Sequence, residues 1–506
     1  MKLNYKRTIL VGFAFFLISA FWQAYDAIVP LILTNHFGLP QTVSGIVMSV
    51  DNVLAVFMLP IFGALSDKVC TRFGKRTPFI VIGTAAAVIA FITLTLVDAY
   101  QLRTVLDSGI AEQYSSAAAL LKEANAALKE AGKSGDAAAI EAARALVDNA
   151  NLAIEQIRLD TVNITLSNIW PLVGFIGVLL LVLISMATFR SPAVALMPDV
   201  TVKPLRSKGN AIINLMGTAG GILVLVLGMI FNTSGNKYMQ YTWYVVAVCA
   251  IMLSGLCVFI LTVKERKWAQ EMEEQTLALG LEETDVKANE GQTRSLSRAE
   301  FKSLALILAS VALWYIGYNS ITSKYSVYAT NVLFFDFNLT LIIAQAAAVV
   351  AYIPVGMVAS KIGRKKTILA GVAILATAFF IGNFISFDTP EFLMYPVFIL
   401  AGIGWATINV NSFPMVVELA KGGEVGKYTG YYYTASMAAQ IVAPILSGFL
   451  YDLFNGFTGG NGMRYVFFAF GTLFVAASFV TMFFVKHGDA KPEAKGALES
   501  LAGEDD

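Results

Sequence analysis

Four ionisable side chains, Asp26, Asp51, Arg190 and Lys324, interrupt stretches that are otherwise apolar over about a helix's crossing length. A charge at such depth is expensive, and by default it marks a site that moves an ion or binds a solute. Helix rise places them: Asp51 lies sixteen residues before Asp67, about 24 Å from that helix end. Asp26 lies nineteen after Arg7, about 28 Å. Arg190 is nine residues from Asp199, about 13 Å. Lys324 falls two turns before the far end of its run. By this count both aspartates and Lys324 share the outer half, Arg190 sits in the inner half, and Asp26 or Asp51 pairs with Lys324 rather than with Arg190. A carboxylate that gains and loses an ammonium through a cycle changes its proton affinity with it, so Asp26 or Asp51 is expected to carry a coupling proton. A static ion pair that fixes helix packing is the alternative. No nucleophile, metal cluster or phosphate-binding loop accompanies these residues, so neither an enzyme nor a cofactor or metal is expected. His36 and His487, near span edges, read as incidental.

The elements that must position these groups follow from composition. Of 506 residues, 57% are hydrophobic and 14% charged, against about 25% charged in a soluble protein. The mean hydropathy is +0.67, and a chain this long and apolar needs lipid as part of its solvent. Runs of spanning length fall near 8–35, 42–66, 77–98, 167–198, 208–231, 240–263, 303–330, 338–360, 367–387, 392–417, 427–453 and 463–485. The fold class is therefore all-α membrane protein with twelve transmembrane helices. Basic residues gather before span 1 and after spans 2, 4, 8 and 12, which puts both termini in the cytoplasm of a multi-pass protein of the cell membrane. No cleavable signal peptide is expected. The net charge of +1 gives no reason to expect nucleic acid. Cys249 and Cys257 lie about two turns apart on one helix, too far to pair.

Residues 1–263 and 301–486 form two six-span units. Between spans 3 and 4, residues 99–166 are rich in Ala, Leu, Glu and Lys and are interrupted at Gly132, which predicts an external helical hairpin. Residues 264–300 read as a charged cytoplasmic linker and 487–506 as a disordered cytoplasmic tail. The units repeat. GALSDKVCTRFGKR at 63–76 corresponds to GMVASKIGRKK at 356–366, and PAVALMPD at 192–199 to NSFPMVVE at 411–418. Eleven residues separate Asp199 from Asn210, and eleven separate Glu418 from Thr429. Repeats of this kind build alternating-access transporters, with the site between the halves.

On those segments the chain resembles the major facilitator superfamily. The stretches PIFGALSDKVCTRFGKRTPF at 60–79, SPAVALMPD at 191–199 and GKYTGYYYTAS at 426–436 resemble its sucrose–proton symporter branch, related to the glycoside–pentoside–hexuronide cation symporters. The resemblance covers most of both membrane halves and not the insert. It implies two pseudo-symmetric six-helix bundles, alternating access, and proton-coupled uptake of a disaccharide or related glycoside, with sodium the other coupling ion to consider. That branch commonly has an Arg where Val194 stands here; the basic residue is Arg190, one turn away.

The superfamily's cavity is lined by spans 1, 4, 7 and 10, so the resemblance implies substrate binding by Trp22, Gln23, Tyr25, Arg190, Trp314, Tyr318, Asn319, Trp405, Asn409 and Asn411. Trp and Tyr faces stack on a sugar ring and amides bond its hydroxyls. Asn52, beside Asp51, joins this group, and Gln345, Tyr352, Tyr432 and Gln440 flank it. Gly63, Asp67, Arg72, Gly74, Lys75, Arg76, Asp199, Gly363, Arg364 and Glu418, at helix ends on the basic side, read as a cytoplasmic gate. The expected partners are a sugar, a proton and the bilayer, with the chain a monomer. An exporter or carrier of a drug or another polar solute on the same fold is the first alternative. A non-transporting receptor or scaffold using the hairpin is the second.

Overall fold

The computed structural model describes residues 3–487 apart from 70, 135, 203–204, 279–296, 418, 420–424 and 459. Sixteen α-helices follow in order: α1 Tyr5–Leu31, α2 Gln41–Lys68, α3 Thr77–Asp107, α4 Ile110–Ser134, α5 Ala137–Ser167, α6 Trp170–Val200, α7 Arg206–Ile230 and α8 Thr242–Thr262 in the first half, then α9 Glu265–Ala278. The second half contains α10 Arg298–Thr322, α11 Tyr325–Tyr328, α12 Phe337–Ile362, α13 Arg364–Gly382, α14 Met394–Val417, α15 Val425–Phe457 and α16 Gly462–Phe483. Eleven helical stretches have the length and apolarity to cross a membrane, and α12, with its apolar run Phe337–Tyr352, supplies the twelfth crossing. The chain is thus an all-α, multi-pass membrane protein of two six-helix bundles. Prolines inside α1, α2, α6, α12, α14 and α15 are tolerated because neighbouring helices reconnect the freed backbone groups.

The hairpin occupies one face of the bundle pair, and the basic turns at Arg76 and Arg364 occupy the other. Helices α4 and α5 pack on each other, and α4 continues through Gly132 to Ser134, so the reversal falls just after the expected interruption. The base of the hairpin is fastened to the first half. Gln101 Nε2 donates to His36 O (3.2 Å) and to Thr165 Oγ1 (2.9 Å), and Thr165 Oγ1 donates to Phe37 O (3.1 Å). Its far side reaches the second half, where Lys129 pairs with Asp388 at 2.8 Å.

At this hairpin face α1 and α10–α11 end alike, each in one turn of π-helix: Ile32–His36 and Ala329–Leu333. In α1 the cause is local. Pro30 cannot donate to the helix ladder, and Thr34 Oγ1 folds back onto Pro30 O at 2.8 Å. The two π-turns meet, Asn331 Nδ2 donating to Asn35 Oδ1 at 2.8 Å. Nearby, α2 and α15 touch backbone to backbone: a Cβ on Gly45 would lie 2.0 Å from Pro444 O, and one on Gly448 2.3 Å from Gln41 O. Cross-half hydrogen bonds gather here, so the halves are tied together at the hairpin face.

On the basic face α9 lies along the first half. Arg7 of α1 bonds Glu271 and stacks over the Trp268 ring at 5.3 Å. Glu265, the first residue of α9, is buried against the start of α3. Its carboxylate accepts from the backbone N–H of Lys75 (2.6 Å), Arg76 (2.8 Å) and Thr77 (2.7 Å), and from Thr77 Oγ1 (2.7 Å). It caps α3 from outside the helix, satisfying donors that would otherwise be orphaned at the helix start. Gly74 must be glycine for this contact: its φ is +121°, and a Cβ would lie 2.2 Å from the Glu265 carboxyl carbon.

Candidate functional site

A cavity of about 630 Å³ lies between the halves. Helices α1, α6 and α7 line it from the first half; α10, α12 and α14 face them, with α13 and α16 behind. Beside it opens a pocket of about 190 Å³ in which Asp26, Asp51, Asn52 and Arg190 meet Asn319 and Gln440 of the second half. Trp22, Asp26, Arg190, Asn319 and Thr322 line both spaces.

The structure therefore gives the two acids a different cation from the one expected. Arg190 faces both Asp26 and Asp51, and its guanidinium lies 5.6 Å from the centre of the Trp22 ring. Lys324 pairs with neither. It is fully buried at the break between α10 and α11, and its Nζ donates to Ser44 Oγ (2.7 Å) and Gln41 O (3.2 Å). Ser44 is seven residues above Asp51, about 10 Å along α2. Depth counted from helix ends misled because those ends are not level: α1 begins beyond the bundle, where Arg7 meets α9, and the helix break carries Lys324 to the hairpin face. Asp51 accepts from Asn52 Nδ2 at 2.8 Å.

Most of the expected recognition residues line the cavity: Trp22, Gln23, Arg190, Tyr318, Asn319, Trp405 and Asn409. Tyr318 stacks on Trp405 at 3.7 Å and 7°, and Tyr315 meets Trp405 edge-on at 5.3 Å, which fixes a flat aromatic wall. Asn319 Nδ2 donates to Tyr315 O at 2.8 Å. The flanking Gln345 and Tyr352 also line the cavity, and Gln440 lines the side pocket. Tyr432 instead bonds Ser412 at 2.9 Å within the second half.

Three expected residues are turned away. Tyr25 is buried between Phe21 and Trp22. Trp314 is buried in the core of the second half. Asn411 is buried, and its Nδ2 donates back to Thr407 O at 2.9 Å. All three stand on the expected helices but on the wrong side of them. Val194 is exposed and lines neither space.

The basic-face residues form a tie within the first half. Arg76 donates to Asp199 Oδ2 (2.8 Å), to Asp67 and to Ser66, joining α2, α3 and α6. Burial works against the charge on the Arg76 guanidinium, and Asp199 and Asp67 outweigh it and hold the group in its charged form. A Cβ on Gly63 would lie 2.9 Å from Ser191 Oγ. Arg72 lies over Phe73 at 4.6 Å, exposed, and Lys75 contributes only its backbone N–H, to Glu265. Gly363 turns the chain at φ +93° into Arg364, which is buried. Glu418 lies outside the described residues.

Several residues were missed. Besides Glu265, Asp98 holds His36: His36 Nδ1 lies 2.6 Å from Asp98 Oδ1, both buried, with Tyr241 stacked on the imidazole. His36 is thus a core residue of the hairpin face rather than incidental. Asn35 and Asn331 were legible in principle, since Thr34-Asn35 and Thr330-Asn331 repeat between the halves.

Twelve crossings in two like bundles, closed around a shared polar cavity, define a class of multi-pass membrane protein. Comparison with known proteins narrows it. Residues 10–102 match the family model described as MFS/sugar transport protein, and residues 328–502 the one described as Major Facilitator Superfamily. The xylose transporter XylE from E. coli, inward open, superposes with a TM-score of 0.59 at 14% identity, over 98% of this chain and 99% of that one. A D-xylose-proton symporter gives 0.57 at 15%, over 96% and 99%. The nucleoside transporter NupG gives 0.56 at 15%, over 94% and 99%. Likeness at these identities establishes the fold. An MFS-type transporter, ppzB, from Metarhizium rileyi (strain RCEF 4871) is 30% identical over 108 residues, and the match spans about a fifth of each protein, 21%. A model of the major facilitator superfamily is thus matched in each half of the chain, and the fold agrees with that likeness throughout.

Proposed function

We propose that this protein takes up a sugar, a disaccharide or glycoside, together with a proton, by alternating access across the cell membrane. One observation carries the reading: the pocket holding Asp26, Asp51 and Arg190 opens beside a cavity walled by Trp22, the Tyr318–Trp405 stack and the amides Gln23, Asn319, Gln345 and Asn409. Charge and solute sites share the residues Trp22, Asp26, Arg190, Asn319 and Thr322, the arrangement that coupling requires. A neutral polyol fits a wall of ring faces and amides, since each hydroxyl both donates and accepts. The match of residues 10–102 to a sugar transport family supports the solute class, and the sugar transporters among the structural neighbours support it at the level of fold.

In this scheme Arg190 supplies the counter-charge that the aspartates share. Protonation of one carboxylate releases part of that attraction, and the guanidinium, with its rigid fork of donors, becomes available to the solute. The proton leaves with the solute when the cavity faces the cytoplasm. The basic face is cytoplasmic, both termini lie on that side, and one chain suffices.

Uptake of a panel of mono- and disaccharides into proteoliposomes, with and without an inward proton gradient, tests the reading. Gradient-driven accumulation of a sugar is expected, as is its loss in Asp26→Asn or Asp51→Asn with sugar exchange retained. Full accumulation with both acids replaced, or stimulation by sodium in place of protons, would overturn the proton assignment. Movement of no sugar at all would overturn the solute assignment.

A further inference from the structure

Along the contact between α7 and α12, glycines of the first half meet amides of the second. A Cβ on Gly228 would lie 2.2 Å from Asn338 Oδ1, and a Cβ on Gly221 would lie 3.2 Å from Gln345 Oε1. The contacts are seven residues apart on each helix, in opposite senses, which separates them by about 10 Å along antiparallel axes. Their surroundings differ. Asn338 is buried at the hairpin face, with its Nδ2 bonded to Thr233 Oγ1 (3.0 Å) and Asp336 Oδ1 (2.8 Å). Gln345 faces the cavity, and its Nε2 donates to Gln23 Oε1 of α1 at 2.6 Å.

That one bond uses one N–H of Gln345 and one lone pair of the Gln23 oxygen. It leaves the Gln23 NH₂ wholly available as a donor and the Gln345 oxygen wholly available as an acceptor. Turning both amides over changes which residue offers which, but the pair still presents one unengaged NH₂ group and one unengaged oxygen. Two hydroxyls on adjacent ring carbons offer the matching acceptor and donor.

We infer that the Gln23–Gln345 pair, one amide from each half, reads a vicinal diol of the transported sugar, and that Gly221 keeps open the space in which the Gln345 head group sits. The inference rests on the sugar reading of the cavity. One hydroxyl donates to the free amide oxygen and its neighbour accepts from the free NH₂. Because the amides belong to different halves, the diol bridges the halves at the level of the cavity, while the Asn338 contact with Gly228 stays buried beyond its reach. A site built this way rejects analogues that lack one hydroxyl, since a polar group is left unpaired.

The test is binding to the full-length protein of methyl α-glucoside, sucrose and maltose, followed by the monodeoxy forms of whichever binds most tightly. In the wild type, removing either hydroxyl of one adjacent pair is expected to weaken binding about tenfold. Gln23→Ala and Gln345→Ala are expected to weaken the parent sugar similarly, and in these variants the same deoxy change costs less than about twofold. Gln345→Asn, which keeps an amide but not its reach, gives the same loss of discrimination if the alanine variant does not fold. Gly221→Ala weakens the parent sugar and flattens the discrimination. Equal deoxy penalties in wild type and amide variants would overturn the inference while leaving the sugar reading intact. Binding of none of the three sugars would remove both.

Discussion

Helix α2 starts without a cap of its own, because Pro40 precedes it and offers no side-chain acceptor. The cap comes from the other half. Asp452 of α15 accepts from Gln41 N (3.0 Å), Thr42 N (2.7 Å) and Thr42 Oγ1 (2.6 Å). The Lys324 ammonium, bonded to Gln41 O and Ser44 Oγ, has Asp452 as its counter-charge. On the proposed alternating access these bonds form only while the hairpin face is closed, so Asp452→Ala acts on the balance between conformations. Loss of a cap costs about 1 kcal/mol and up to about 2. Hydrogen bonds to a charged group contribute roughly 1.5–3 kcal/mol each, and water replaces part of this when the face opens. A net change of about 2–4 kcal/mol is expected, which shifts the equilibrium toward an open hairpin face by roughly 30- to 1000-fold. Asp452→Asn keeps one acceptor oxygen and gives a smaller shift in the same direction. Electron–electron distances between spin labels at the exposed Gln240 and Phe392, one in each half, read this out. The variant is expected to populate a longer distance that the wild type holds at a few per cent or less. An unchanged distribution, or one that tightens, would refute the reasoning that Asp452 closes this face.

Two other perturbations probe the ends of the molecule. Glu265→Ala removes four hydrogen bonds from the start of α3, and Gly74→Ala strikes the same contact from the other side; each is expected to destabilise the protein by about 2–4 kcal/mol. Thermal unfolding in detergent measures this, and midpoints within error of wild type would refute the clasp. At the hairpin, the Lys237 ammonium lies 4.2 Å from the Tyr114 ring centre, and burial lowers its pKa to about 8. An undocked lysine keeps its proton to about pH 10.4, so between the two values the undocked state binds more protons and docking strengthens as pH rises. The thermal midpoint of wild type should therefore gain on that of Lys237→Met from pH 8 to pH 10, and parallel curves would refute the assignment.

The bundle was legible because a bilayer imposes a length on each apolar run, and the hairpin because its composition breaks that pattern. The site was less legible, for reasons particular residues make plain. Trp314 and Asn411 stand on cavity-lining helices but point elsewhere, and helices apolar on every side carry no amphipathic stripe from which to read facing. The cation beside Asp26 and Asp51 was misassigned to Lys324, because a count of residues ignores tilt, protruding ends and the break after Thr322. Glu265, Asp452 and Asp98 escaped notice because acids at the ends of spans are ordinary in a sequence. Only the fold shows that Asp98 grips a histidine and that the other two cap helices in neighbouring segments.

The repeat also hides a reversal. Val263-Lys264-Glu265 follows the sixth crossing and Val485-Lys486-His487 the twelfth, so His487 stands where Glu265 does. In the first half, an acid after the sixth crossing caps the start of the third. In the second half, the N–H groups of Lys486 and His487 turn to Ser303 Oγ, and the cap runs the other way: Lys365, near the start of α13, donates from Nζ to Phe483 O and Val485 O at the end of α16. An acid at a helix start and a cation at a helix end both oppose the helix dipole, so the two halves secure equivalent junctions with opposite charges. The cavity is divided in a similar way. Asp26, Asp51 and Arg190 all come from the first half, whereas the Tyr318–Trp405 wall, Asn319, Asn409 and Gln345 come from the second. On the proposed function, charge is handled by one half and solute held mainly by the other. Gln23 is then the first-half amide through which solute binding is felt across the interface.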